Sequence, residues 1–103
     1  MSYFVYKLVA PRPTFAQTMT EGEAALMQEH GRYWDDLVAK GFVVVFGPVA
    51  DPIGTWGLAV IEADSDSRAR AYGANDPAVK AGVGFLFEDY SMPRATLRKS
   101  VLD

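Results

Sequence analysis

The chain has 103 residues, 50% of them hydrophobic, which is enough to fill one core and sets the size of one domain. A net charge of −3 leaves no basic footprint for nucleic acid, and the absence of cysteine removes disulfides, thiolate nucleophiles and thiolate metal sites together. No apolar run reaches the length of a membrane span and the first strand follows Met1 almost at once, so the expectation is a cytoplasmic protein.

Tyr3 to Ala10 is rich in aromatic and β-branched residues and predicts a strand, stopped by Pro11 and Pro13, which begin a loop. Thr18 or Thr20 can cap the helix expected over Glu21 to Lys40, and Thr20 with Glu23 has the spacing of a capping box. Glu21 and Glu23 suit the positive end of that helix, and Gly41 suits a left-handed stop. Phe42 to Phe46 predicts a second strand, closed by Gly47-Pro48. Asp51-Pro52-Ile53-Gly54 has turn chemistry, and Thr55 to Ala63 predicts a third strand. Ser65 caps a second helix to about Ala74, and Asn75-Asp76-Pro77 breaks it and restarts a short turn to Ala81. Gly82 leads into a fourth strand over Val83 to Tyr90. The domain is expected to span residues 1–93, with residues 94–103 as a C-terminal tail.

The order is β-α-β-β-α-β, an α+β arrangement of the ferredoxin-like kind, with both helices on one face of a four-stranded antiparallel sheet. In the first strand Tyr3, Val5 and Val9 alternate with Phe4, Tyr6 and Leu8, so both faces are mostly apolar. The second and fourth strands repeat this. A sheet with one solvated face alternates apolar and polar residues, so the helix-free face is expected to be covered. A homodimer packed sheet on sheet is the simplest cover; the chain's own tail is the alternative.

His30 is the only histidine. At about 100° per residue, Leu26, Tyr33, Trp34 and Leu37 share its side of the helix, so the imidazole is aimed inward. Such a ring is either a satisfied core histidine or an acid–base catalyst. Asp76 has two readings as well: an Asp cap with Pro77 at the first helical position, or a carboxylate that reaches the His30 ring and fixes its tautomer. Gly47-Pro48 either terminates a strand or lets a ligand approach the backbone closely. Tyr33, Trp34 and Trp56 can wall a pocket for a planar ring or fill the core. Asp51-Pro52 reads as a turn. A metal site would have to combine His30 with carboxylates such as Glu23, and one nitrogen ligand without cysteine does not make a transition-metal cage.

His30, then Leu37-Val38-Ala39-Lys40-Gly41-Phe42-Val43-Val44 and Gly47-Pro48, then Asp76-Pro77-Ala78-Val79-Lys80-Ala81-Gly82-Val83, resembles the YCII-related (YciI-like) family from Tyr3 to about Pro93. The resemblance implies a ferredoxin-like protomer that forms a dimeric α/β barrel. It also implies a catalytic His–Asp pair at a pocket, which maps onto His30 and Asp76, and a scaffold able to run acid–base elimination. Met27 stands where one common version of the family pattern has an arginine, three residues before the histidine, so an anion-binding group is missing.

Two functions follow as expectations. One is a small enzyme without a cofactor, in which His30 is general base or acid and Asp76 orients it. Its substrate would be a small cyclic or aromatic metabolite, contacted by Tyr33, Trp34, Gly47, Pro48 and Pro77, and its reaction an elimination, isomerisation or hydrolysis. The other is a non-catalytic module that binds a metabolite in the same pocket. A purely structural domain with a packed, silent His30 is a third reading.

Overall fold

The computed structural model describes residues 1–99. Its elements run β1 (Ser2–Val9), α1 (Phe15–Thr18), α2 (Glu21–Ala39), β2 (Val43–Val49), β3 (Trp56–Ala63), α3 (Asp66–Ala74), α4 (Pro77–Lys80) and β4 (Leu86–Met92). The strands form one antiparallel sheet in the order β2-β3-β1-β4, which is the ferredoxin-like topology. Alternation along β1 sends Phe4, Tyr6 and Leu8 into the core beneath the helices, and Tyr3, Val5, Lys7 and Val9 to the opposite face.

The ends of α2 follow from its local sequence. Thr20 accepts the Glu23 N–H while the Glu23 carboxylate accepts the Thr20 N–H, a complete capping box. At the other end Gly41 takes φ +85°, its N–H donates to the Val38 carbonyl, and the Phe42 N–H donates to that of Leu37. This is a Schellman stop, and it draws Phe42 into the cap and delays β2 to Val43.

Three expectations are corrected here. Gly47 and Pro48 do not close β2; they lie inside it, because β2 is an edge strand where a residue without an N–H is tolerated. The last strand begins at Leu86 and not at Val83, since Gly84 at φ +104° breaks the extended run and packs against Pro11, which also ends β1. Between Pro13 and Thr20, where a loop is expected, the chain forms the short α1, and Phe15 on it packs edge-on against Phe85 at 5.1 Å.

The core centres on Trp34, which is fully buried, with the Tyr6 ring at 4.6 Å and the Phe46 ring stacked at 6.0 Å. The helix-free face is different. Val45, Leu86 and Tyr90 on it are 50%, 68% and 54% exposed, and residues 94–99 carry no helix or strand and leave them so. Residues 100–103, the remainder of the expected tail, lie outside the described residues. No helix among the described residues is long and apolar enough to cross a membrane.

Candidate active site

His30, Trp34 and Leu37 are the buried residues of α2, spaced so that all three fall on the stripe facing the sheet. Asp76 comes from the junction between α3 and α4. There its Oδ1 accepts the Ala78 N–H at 2.9 Å and caps α4, with Pro77 at the first helical position. The cap does not use up the carboxylate. Nδ1 of His30 lies 2.8 Å from Oδ2 and 3.0 Å from Oδ1. Oδ2 also accepts from the Tyr6 hydroxyl at 2.7 Å and from Nε1 of Trp34 at 2.8 Å. The two readings of Asp76 therefore hold together: one carboxylate caps a helix and grips the imidazole.

Asp76 is 0% exposed. Burial pushes its carboxyl up, but the hydrogen bonds from His30, Trp34 and Tyr6, together with the charge of His30, outweigh burial and hold it below the usual carboxylate range. A buried carboxylate is stable only with such partners. The Tyr6 phenol is displaced the other way, raised by its own burial and then by the Asp76 charge, so it remains a proton donor. Tyr33 is pushed up to about 12 by burial and then by the charges of Asp76 and Tyr72, and its hydroxyl donates to the Tyr72 carbonyl at 2.6 Å.

Asp76 holds Nδ1, and the other ring nitrogen faces elsewhere. Every buried side-chain nitrogen or oxygen among the described residues has a hydrogen-bond partner, whereas Nε2 of His30 has none among them, so Nε2 is not sealed in the core. His30, 8% exposed overall, borders a cavity of about 460 Å³. Met27, His30 and Gly31 of α2 form one wall, and Phe46, Gly47 and Pro48 of β2 another. Phe15, Ala16 and Met19 cover it from the β1–α2 crossover, and Trp56 and Phe85 complete the rim. His30 is the only titratable side chain among the lining residues.

The crossover is pinned. Arg12 grips Glu23 with two hydrogen bonds of 2.7 and 2.8 Å and adds bonds to the Thr18 hydroxyl and carbonyl. The Arg12 hydrogen bond and the N-cap bonds from Thr20 hold the Glu23 carboxyl down at about 2. Glu23, named above as a metal-ligand alternative, is committed to this clamp. Among the described residues no group of three or more His, Asp or Glu is placed to hold a metal.

Of the residues expected around a ligand, Gly47 and Pro48 line the cavity, and so does Trp56. Tyr33, Trp34 and Pro77 are not among its lining residues. Trp34 stands behind the histidine as a donor to Asp76, Tyr33 reaches α3, and Pro77 starts α4. Sequence reasoning did not find Tyr6 as an Asp76 donor, since alternation shows only that it points inward. Phe15 and Met19 were hidden in a segment expected to be loop.

No curated protein matches the chain. Among solved structures, a 5-chloro-2-hydroxyhydroquinone dehydrochlorinase from Burkholderia phenoliruptrix, in complex with 2,5-dihydroxybenzoquinone, superposes with a TM-score of 0.55. It is 24% identical, over 85% of this chain and 91% of that one, a likeness of fold. The family model for the YCII-related domain matches residues 1–91, and the chain belongs to that family.

Proposed function

We propose that the protein is a small enzyme without a cofactor that uses His30 for general acid–base chemistry on a small cyclic or aromatic molecule. One observation carries this reading: Asp76 holds Nδ1 of the ring, while Nε2, without a partner among the described residues, borders an apolar cavity. An ionised Asp76 keeps the proton on Nδ1, so Nε2 presents its lone pair. It accepts a proton from a substrate O–H or C–H, and the buried carboxylate stabilises the imidazolium that results. The electron pair left on the substrate then expels a leaving group with its bonding pair, or is reprotonated at another atom. In isomerisation the imidazolium gives the proton back to the substrate at that other atom; in elimination it passes the proton to the departing group or to solvent water, and in each case neutral His30 is restored. Proton transfer of this kind supplies roughly 10²–10⁴-fold, and positioning in the cavity must supply the rest. Gly47, Pro48 and Trp56 are the contacts proposed for the ligand, with Tyr33, Trp34 and Pro77 supporting the pair from behind.

The dehydrochlorinase of similar fold suggests the first substrate to try. Chloride release from 5-chloro-2-hydroxyhydroquinone and related chlorinated hydroxyquinols is expected from the native protein, with a rate at least 10²-fold lower in His30→Asn. Retained binding with lost turnover supports catalysis. The second reading, a binding module, is favoured by one fact: among the described residues no second titratable group lines the cavity to protonate a leaving group. Saturable binding by both proteins with no product from either supports that reading. The exposed Val45, Leu86 and Tyr90 fit the further proposal of a homodimer packed through the helix-free face, which light scattering tests directly.

A further inference from the structure

Two of the cavity's glycines have no reason within the protein to be glycine. Gly31 lies in the interior of α2 and Gly47 inside β2, positions where glycine weakens an element. Neither has a positive φ. Beyond the adjoining residues and, for Gly31, the backbone of its own helix, a Cβ built on either one meets nothing within 4 Å. Other glycines are explained by their surroundings: at Gly57, which also lines the cavity, a Cβ would come within 3.3 Å of Leu8, and at Gly73 within 2.9 Å of the Phe87 ring. Gly22 is equally open but sits on the exposed first turn of α2, away from this cavity's lining. What Gly31 and Gly47 share is the cavity, and Gly31 is the immediate neighbour of His30 in the chain.

We infer that Gly31 and Gly47 shape a slot in which a flat, uncharged ring lies against the α2 and β2 backbones beside Nε2 of His30. The inference rests on the cavity being the ligand site and adds the class of ligand it takes. Bare backbone lets a planar face come closer than any side chain would. Phe46, Met27 and Trp56 supply apolar contact around it. Charge decides the rest. Among the described residues no Lys, Arg, Asp or Glu lines the cavity, and His30 is already paired with Asp76, so the pair carries no net positive charge even when the imidazole is protonated. A carboxylate entering here would lose hydration without meeting an unpaired cation among the lining residues. Gly31 is thus a specificity-determining residue, and its side-chain space belongs to the ligand.

The test uses hydroquinone and 2,5-dihydroxybenzoate, which share a ring and differ by one carboxylate, followed at pH 7 through the NMR signals of the single imidazole. In the native protein hydroquinone is expected to shift those signals saturably, with the benzoate at least tenfold weaker. In Gly31→Leu the side chain would lean over Met27 and fill the slot. That variant should lose the hydroquinone response while its unfolding midpoint stays equal or rises, because glycine is the poorer helix former. Gly31→Ala should weaken binding less, and serves if the larger side chain upsets the fold. Equal hydroquinone affinity in Gly31→Leu and native protein overturns the slot and leaves the ligand site standing. Equal affinity for the benzoate overturns the selection against charge. No response of the native imidazole to either compound overturns the slot and the ligand site together.

Discussion

Asp76 takes four donors at once: the His30 ring, the Trp34 indole, the Tyr6 phenol and the Ala78 amide. This saturation keeps an ionised group in the core and fixes the imidazole. Tyr6→Phe preserves the ring packed on Trp34 and removes one donor only. A hydrogen bond to a charged acceptor contributes about 1.5–3 kcal/mol, so urea unfolding should show a loss in that range. An unchanged midpoint would mean that the phenol does not support the carboxylate. The sequence made half of this pair readable. His30 stands out because helical periodicity places it among Trp34 and Leu37, whereas Asp76 is masked by a local pattern, Asn-Asp-Pro, that capping explains fully. Its second role rests on partners 42, 46 and 70 residues away in sequence, a separation over which no local pattern carries information.

The elements bring those distant residues together, and α3 has the tightest seat. A Cβ on Gly73 would fall 2.9 Å from the Phe87 ring and 3.0 Å from that of Tyr6, so α3 approaches the sheet at a distance only glycine permits. Gly73→Ala is expected to destabilise by about 1–3 kcal/mol, as overpacking does. It should also disturb the His30 NMR signals, because Tyr6 is an Asp76 donor. Loss of stability with unchanged imidazole signals would show that α3 does not position the site. Element type was legible wherever period and caps agreed, as in α2 with its capping box and glycine stop. Boundaries failed where one residue overrode the run: the Schellman turn took Phe42 from β2, and left-handed Gly84 postponed β4. The short α1 carries no periodic signal and is held by tertiary contacts, those of Phe15 with Phe85 and of Arg12 with Glu23.

At the scale of the whole molecule, the site couples to stability through acid. The Asp76 carboxyl lies below its ordinary value in the folded chain, so its stabilisation is complete above the unfolded-chain value of about 3.9 and drains away as pH falls through the lower native value. The unfolding midpoint should hold down to about pH 4 and drop below it, with a shallower drop in Asp76→Asn. Glu23, also held low, acts in the same window, but its pair with Arg12 is part-exposed and added salt should trim its share first. Equal acid limbs in the native protein and Asp76→Asn would contradict this coupling. The topology as a whole was readable, since two helices and four strands in this order admit few arrangements. The apolar character of the second sheet face was readable too, and Val45, Leu86 and Tyr90 on it are exposed.

The most direct test of the account is the protonation of the single imidazole. Nitrogen-15 NMR at about pH 9, above the usual range of histidine, reports which ring nitrogen carries the proton in the neutral form. The account predicts the proton on Nδ1, held toward Asp76, with a bare Nε2 whose signal moves when a ligand enters the cavity. In Asp76→Asn that preference should be lost. A proton on Nε2 in the native protein, or a tautomer indifferent to Asp76, would contradict the claim that Asp76 arms His30 as a base.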